Sequence, residues 1–278
     1  MRVPLNKSTA RWYDRILAAF VFFTALPVCR FYSPRGNTPL YLMENWPLTG
    51  WVTGGLTAAV LYLASFPLPY PIAVALAMVV RALITGAANE EGLRCFVDGV
   101  ASKSEDPDMV LELMKCPMAG SQGVVAVVLY ELMVFTVLCS LPPGLAAITI
   151  MAADPYAKML AGQLSVMMPH LRTNDEIEAG LTFRRMPLLA GLGFAAQGLL
   201  PMAVFVYIIM YKDIDWPLIV SLPCLVMYVL YTIINKKLRG YTLECCRAVY
   251  LLTELTFYLT VIIFSQITEL TMSGVNAY

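Results

Sequence analysis

The sequence predicts an all-α, polytopic integral membrane protein. Its 278 residues are 59% hydrophobic and only 14% charged, and its mean hydropathy is +0.69. A soluble domain of this length cannot bury so much apolar surface. The apolar residues also fall into charge-poor windows, each near the roughly 20 residues that a helix needs to cross a bilayer. We therefore predict one helical membrane domain over residues 1–278.

The first apolar segment is predicted not to cross the membrane. It covers only residues 16–28 and follows the basic residues Arg2, Lys7, Arg11 and Arg15. A run this short more often lies in the interface or re-enters the membrane than spans it. We predict an N-terminal interfacial or re-entrant segment.

About seven transmembrane helices are predicted after this segment. The windows lie at about 47–66, 68–88, 118–141, 142–169, 186–211, 216–235 and 248–267. Basic residues concentrate at the N-terminus and in alternate connections, at 94–115, 172–185 and 236–247. Because cytoplasmic loops carry an excess of Lys and Arg, we place these segments in the cytoplasm. The expected location is a bacterial or archaeal cytoplasmic (inner) membrane, with the lipid bilayer around the helices.

Several charged residues fall inside the predicted spans. Asp154 and Lys158 are spaced i, i+4, so we expect an internal ion pair that reduces the cost of burying both charges. Glu131 has no partner nearby in the sequence, and we expect a hydrogen bond toward the bundle. Arg81, near the cytoplasmic end of its span, is expected to extend toward the membrane surface.

An acidic segment separates the second and third predicted spans. In this cytoplasmic loop, 89–117, Glu91, Cys95 and Asp98 have the spacing i, i+4, i+7, which places them on one face of a helix. Two carboxylates on one face can bind a divalent cation and, through it, a diphosphate. The alternative is a solvated acidic helix face.

Other functions are excluded by composition. The formal net charge is zero, whereas a general nucleic-acid binder needs a basic excess, so no nucleic acid is expected as a partner. A single histidine, His170, makes a histidine-rich metal site or a histidine-based triad very unfavourable. The remaining oxygen ligands favour Mg²⁺, or Mn²⁺ in its place.

The acidic segment resembles a known signature. NEEGLRCFVDG at 89–99 and LELMKCPMAGSQG at 111–123 are similar to His-x-Asp-Gly-x-x-Asp-x-x-Asp-Gly and Met-Lys-Asp-Ser-Arg-x-Gly-x-x-Gly. Similar blocks follow the same order at 23–28, 46–56 and 240–254. These patterns are those of the cobalamin synthase family, the membrane-bound adenosylcobinamide-GDP ribazoletransferases, and the resemblance covers nearly the whole chain.

The chain departs from this signature at several positions. The departures are Asn89 for His, Glu91 and Cys95 for the first two Asp residues, Cys116 for the Asp after Met-Lys, and Leu243 and Glu244 for Gly-Asp. The outright matches are Gly92, Asp98, Gly99, Lys115, Gly120, Gly123, Gly240, Thr242 and Glu254. Glu for Asp keeps a hard oxygen ligand, whereas Cys for Asp replaces it with a softer group that is usually neutral.

The resemblance implies a reaction in cobalamin (vitamin B12) biosynthesis. Phosphocobinamide would pass from adenosylcobinamide-GDP to α-ribazole or its 5′-phosphate, giving adenosylcobalamin or its phosphate and GMP, with Mg²⁺ as cofactor. By the same resemblance, the catalytic residues would be Asp98, Glu91 and Lys115, and the metal ligands Glu91, Asp98 and Glu244. Gly92, Gly99 and Asn89 would contact the substrate, although small residues such as glycine equally serve helix packing. A homo-oligomer is left open.

Two other functions remain open from the residues alone. The chain could be a homologue that binds a corrinoid or nucleotide intermediate, or scaffolds the pathway, without catalysis. It could also be a small transporter in which Asp154, Lys158, Glu131 and Glu254 line a path, although no inverted repeat or pair of broken helices is visible.

Overall fold

Helices form nearly all of the protein's regular structure. A computed structural model describes residues 12–26, 38–104, 106–116, 118–171, 188–210 and 216–275. The helices in these ranges are α1 Trp12–Phe23, a 3₁₀-helix Thr38–Asn45, α2 Trp46–Ala64, α3 Tyr70–Thr85, α4 Ala88–Val100, α5 Pro107–Lys115, α6 Ser121–Ser140, α7 Pro143–Gly162, α8 Leu164–Met167, α9 Leu188–Met210, α10 Trp216–Leu238 and α11 Leu243–Val275. Outside the helices, an isolated parallel bridge joins His170 to Tyr241. The predicted all-α class is confirmed.

The chain is a multi-pass membrane protein, but the predicted count of seven spans is not confirmed. Helices lie in all seven predicted windows. Among the described residues, five segments are long and apolar enough to cross a bilayer: Leu42–Ala64, Ser121–Ser140, Leu188–Met210, Trp216–Leu238 and Leu243–Gln266. A sixth is added if α3 and α4 count as one broken span.

Helix α7 lies at the centre of the bundle and is not among these five spans. It packs against α2, α9 and α11, and most of its side chains are buried. Gly50 and Gly54 of α2 allow the closest approach, because a Cβ atom there would lie 2.7 Å from Pro155 Cα and 2.9 Å from Asp154 Cβ respectively. Small residues permit such contact between helix backbones.

The predicted ion pair within α7 is confirmed. Lys158 Nζ lies 2.7 Å from Asp154 Oδ1, and both side chains are only 2% exposed. The hydroxyl of Thr53 in α2 donates to Asp154 at 2.6 Å and accepts from Lys158 at 2.7 Å. The pair therefore also joins α7 to α2.

Arg81 does not extend to the membrane surface, so that prediction is wrong. It is 7% exposed, and both of its Nη atoms bind the carboxylate of Glu254 in α11. Tyr250 and Tyr258 complete the contacts: Arg81 donates to the Tyr250 hydroxyl at 2.9 Å, and the Tyr258 hydroxyl donates to Glu254 at 2.7 Å. Arg81 turns inward because Glu254 is a buried anion that needs a partner.

Glu131 makes no hydrogen bond with the other described residues, contrary to prediction. It lines a groove of about 370 Å³ between α3 and α6, together with apolar side chains that include Ala75, Met78 and Phe135. The polar group of Glu131 thus faces a shallow opening rather than a partner in the bundle.

Within the described residues, which begin at Trp12, helix α1 is too short to span the membrane, in agreement with the prediction. Its 12 residues extend about 18 Å at 1.5 Å per residue, less than the roughly 30 Å hydrocarbon core. Phe23 stacks on Trp46 at the start of α2, with 5.1 Å between ring centroids. Part of the predicted basic segments lies outside the described residues: Arg2, Lys7, Arg11 and the whole connection 172–185, as do residues 27–28.

Candidate active site

A sharp bend between α3 and α4 positions the acidic segment. Gly86 ends α3 with φ of 64°, and Ala87 follows with φ of 54°, so two consecutive residues are left-handed. The two helices are bent by 84° at this point. Glycine adopts this conformation without the steric cost that a side chain brings. The predicted loop is therefore mainly two helices, α4 and α5, and α4 packs against α6 and the start of α11.

Arg94 binds both predicted acidic residues on α4. Its Nε and Nη2 atoms donate to the two carboxylate oxygens of Glu91 at 3.0 and 2.5 Å. Its Nη1 atom donates to Asp98 Oδ2 at 3.1 Å. Glu91 and Asp98 thus lie on either side of one guanidinium group. Arg94 was not among the predicted site residues, although its spacing to these acids, three residues after Glu91 and four before Asp98, indicates ion pairs on a helix.

Asp98 also connects α4 to the start of α6. Its Oδ2 accepts the backbone N–H of Gly120 at 2.9 Å, and its Oδ1 accepts that of Gly123 at 2.8 Å. These N–H groups lie at the N-terminus of α6, where backbone donors have no carbonyl partner within the helix. A carboxylate is favoured there because it caps these donors and interacts with the helix dipole. Asp98 therefore fixes the α4–α6 junction, and its side chain is only 12% exposed.

Glycine is required on the α6 side of this junction. A Cβ atom on Gly120 would lie 2.2 Å from Asp98 Oδ1, and one on Gly123 would lie 2.6 Å from the Arg94 carbonyl oxygen. Both distances are far below ordinary van der Waals contact. The absence of a side chain at 120 and 123 is what lets the Asp98 carboxylate reach the helix end.

The two remaining groups of the predicted face differ in charge. The hydrogen bonds from Arg94 are the main cause that lowers the pKa of Glu91, whose side chain is 57% exposed. Burial raises the pKa of the Cys95 thiol to about 11. The thiol lies 3.6 Å from Glu91 Oε1 and donates to it. The face therefore combines the Glu91 and Asp98 carboxyl groups, both bound by Arg94, with a thiol whose burial keeps it neutral.

The arrangement does not fit the predicted metal site. Across the described ranges, no three His, Cys, Asp or Glu side chains are grouped closely enough to hold a metal ion. Glu91 and Asp98 are already bound by Arg94. Glu244, the third predicted ligand, lies in the first turn of α11. The structure therefore does not bring the three predicted ligands together as a metal-binding set.

The other predicted site residues lie around this cluster. A Cβ atom on Gly92 would lie 2.5 Å from Arg247 Cβ, and one on Gly99 would lie 2.3 Å from Met114 Cγ. These contacts favour helix packing over approach to a diphosphate. Asn89 is buried in the first turn of α4, and Lys115 is exposed at the end of α5.

A second guanidinium, which was not among the predicted site residues, lies beside α4. Arg247 belongs to the first turns of α11 and packs over Gly92. Its Nε atom is buried and has no hydrogen-bond partner among the residues that the structure describes. Arg247 is close enough to Glu244, Glu90 and Cys95 to interact with them electrostatically. It is a cation at the site with unused donor capacity.

Comparisons with known proteins show the family of the chain. The family model described as cobalamin-5-phosphate synthase matches residues 15–262. The adenosylcobinamide-GDP ribazoletransferase of Leptospira interrogans is 26% identical over 92% of this chain and 97% of its own length. The enzyme of the same name from Vibrio parahaemolyticus is 27% identical over 94% and 97%. No solved structure matches significantly. Because the family match extends over far more than half of the residues, the chain belongs to the cobalamin-5-phosphate synthase family.

Proposed function

We propose that this chain is an adenosylcobinamide-GDP ribazoletransferase. It transfers phosphocobinamide from adenosylcobinamide-GDP to α-ribazole or its 5′-phosphate, and it releases GMP. One observation supports placing the reaction at this site. Asp98, Gly120 and Gly123 all match the family signature, and they are in contact at the α4–α6 junction. Residues that the resemblance connects only by sequence pattern are in direct contact.

The reaction converts a phosphoanhydride into a phosphate ester. A hydroxyl of the ribazole attacks the phosphorus that carries the cobinamide, a new P–O bond forms, and the hydroxyl proton is released to water. The bond from that phosphorus to the oxygen that leaves with GMP breaks. Such transfers depend mainly on positioning the reactants and on stabilising negative charge. In this proposal Arg247 and the exposed Lys115 contact the phosphates, because guanidinium and ammonium groups suit these oxygens.

The roles of the acidic residues follow from their contacts. Asp98 holds the N-terminus of α6 and orients Arg94, so it is proposed to shape the site. Glu91 is more exposed and is proposed to face the substrate. The Mg²⁺ or Mn²⁺ implied by the resemblance stays a prediction, as does the oligomeric state, and no step above depends on either.

We place the site at the cytoplasmic face of a bacterial or archaeal inner membrane. Lys103, Lys115 and Lys236 are exposed near the ends of α4, α5 and α10. Lys237 at the end of α10 donates to the carbonyl oxygens of Ser102 and Ser104 at 3.1 and 2.9 Å, which joins two of these basic segments. An excess of Lys and Arg on one side is typical of the cytoplasmic side.

The test is turnover by the purified protein in lipid. Adenosylcobinamide-GDP, α-ribazole and MgCl₂ are added, and cobalamin and GMP are measured by chromatography and mass spectrometry. We expect product from the wild type and loss of most of it in Asp98→Ala. Asp108→Ala, which removes an exposed acid from α5, is the matched control and should retain activity. Size-exclusion chromatography confirms that each variant is folded.

Two outcomes would replace the proposal with the alternatives. Binding of adenosylcobinamide-GDP without product would indicate a homologue that binds the intermediate without catalysis. Uptake of a corrinoid into proteoliposomes, with no product, would indicate a transporter.

A further inference from the structure

The space between the two site carboxylates is filled by a side chain of the protein itself. Arg94 uses Nε and Nη2 on Glu91 and Nη1 on Asp98. Its side chain is only 10% exposed. A planar guanidinium with parallel N–H groups matches a carboxylate in two-point contact and stays charged at all ordinary pH values. The contact to Glu91 has this form.

We propose that the Arg94 guanidinium takes the place of a divalent cation at Glu91 and Asp98, so that this chain binds no Mg²⁺ or Mn²⁺ between them. The inference rests on the proposed function for its role in the reaction. The binding geometry that supports it is independent of turnover.

The lone pairs of Asp98 are largely occupied by hydrogen bonds. Its Oδ2 accepts from Arg94 and from the Gly120 N–H, and its Oδ1 accepts from the Gly123 N–H. A Mg²⁺ ion requires oxygen ligands in near-octahedral geometry at short distance. Asp98 thus already uses three of its roughly four acceptor positions, and an ion between Glu91 and Asp98 would have to displace Arg94 from Oδ2.

Residue 95 does not supply a carboxylate to the site. In the family pattern this position is an Asp, which would supply a third carboxylate on the same helix face. Here Cys95 is buried, with Sγ 3.2 Å from Arg94 Nη2. A neutral thiol is a poor ligand for Mg²⁺. The chain therefore lacks a carboxylate ligand at residue 95, and the positive charge of Arg94 lies directly beside that residue.

Arg94 also reduces the negative charge of the site. Glu91 and Asp98 would repel a diphosphate if they were left unpaired. Arg94 cancels one of these two negative charges. Arg247 adds a positive charge nearby, and it also interacts with Glu244 and Glu90. Charge neutralisation is the part of a metal's function that a fixed guanidinium can supply. Arg94 is thus a positioning residue that makes the site tolerant of a phosphate-rich substrate.

The experiment measures Mn²⁺ binding to the purified protein by electron paramagnetic resonance, without substrate. We expect no bound Mn²⁺ at the site in the wild type. Arg94→Ala and Arg94→Gln should both gain a site, because each removes a positive charge next to two carboxylates. Arg94→Ala/Cys95→Asp should bind about tenfold or more tightly than Arg94→Ala, since it restores a third carboxylate. Lys103→Ala, which removes an exposed cation from the same segment, should behave like the wild type.

Two results would overturn the inference. One is a stoichiometric Mn²⁺ site in the wild type that Asp98→Asn abolishes. The other is absence of binding in the wild type and in all folded Arg94 variants, because the carboxylates would then not be a metal site that Arg94 fills. Arg94→Gln keeps a polar side chain, although a shorter one, and loses the charge, so it supplies a second test if Arg94→Ala folds poorly. Since Mn²⁺ is the probe, failure of turnover leaves this measurement interpretable.

Discussion

At the scale of single residues, the site depends on the absence of a side chain at Gly123. The backbone of α4 comes so close that a Cβ atom on Gly123 would lie 2.6 Å from both the Arg94 carbonyl oxygen and Asp98 Oδ2. Backbone and a fixed carboxylate cannot move aside as the end of a flexible side chain can. The α4–α6 junction therefore tolerates no larger residue here without a shift of the helices.

Gly123→Ala is expected to lower the free energy of unfolding by about 1–3 kcal/mol, the usual cost of overpacking. The measurement is SDS-induced unfolding in mixed micelles. Gly191→Ala in α9 is the control, because no atom lies within 4 Å of the added Cβ. The control should be neutral or stabilising by up to about 1 kcal/mol, since alanine favours helix more than glycine does. Equal stability of the two variants would contradict the proposed close contact.

The second prediction at this scale concerns Cys95. Because burial raises its pKa to about 11, the thiol stays protonated well above neutral pH, and only the thiolate reacts with alkylating agents. The rate of alkylation at Cys95 by iodoacetamide should rise roughly tenfold per pH unit past the ordinary thiol pKa of about 8.5. Peptide mass spectrometry gives the rate, and Cys95→Ser identifies the signal. A plateau near pH 8.5 would contradict the raised pKa.

Part of this residue-scale arrangement was readable in the sequence. Helical periodicity placed Glu91, Cys95 and Asp98 on one face, and the structure confirms a helix there. The spacing of Arg94 to both acids was equally readable, but the predicted site included only the groups that could hold a metal ion. The contacts of Asp98 with Gly120 and Gly123 were not readable, because a helix cap from another element depends on how α4 and α6 pack.

At the scale of elements, buried charges join helices that are distant in the chain. Arg81 in α3 and Glu254 in α11 are 173 residues apart. The sequence identified both as charges within predicted spans, yet periodicity reports only neighbours on one helix. It found Asp154 with Lys158, which are on the same helix, and missed Arg81 with Glu254, which are not.

Arg81→Met is expected to destabilise the protein by about 3–5 kcal/mol, because it leaves the Glu254 charge buried and unpaired. Arg81→Met/Glu254→Gln should lose less than Arg81→Met alone, since the unpaired charge is removed. Arg239→Met, at an exposed position after α10, is the control and should change little. With the single variant Glu254→Gln added, SDS-induced unfolding of the wild type, both single variants and the double variant forms a double-mutant cycle. Additive losses would show that the two side chains are not coupled.

At the scale of the whole molecule, α6 determines which segments share a side of the membrane. It is a candidate span of 20 residues, with the α4–α5 segment before it and the short turn to α7 after it. Residues 103 and 144 should therefore lie on opposite sides of the bilayer. Gly144 is exposed and has open space around it, so both positions accept a cysteine.

Lys103→Cys and Gly144→Cys are expected to differ in access from outside the cell. In spheroplasts, a membrane-impermeant maleimide should label the cysteine at 144 and should label that at 103 only after permeabilisation. Labelling is scored against the unsubstituted protein, which reports its native cysteines. Labelling of position 103 in intact spheroplasts would contradict the cytoplasmic placement of the site.

The sequence by itself determined the membrane class, the helices in every predicted window, the family and the acidic helix face, because hydropathy, periodicity and motif order are properties of the chain. The tertiary structure decided how many helices qualify as spans, that α7 is enclosed by its neighbours, and which charges pair across helices. It also decided that Arg94 occupies the space between Glu91 and Asp98 and that Asp98 caps α6. The physical reason is that these properties depend on the distances between helices. Close packing at glycines and buried ion pairs set those distances, and both form only when the bundle has assembled.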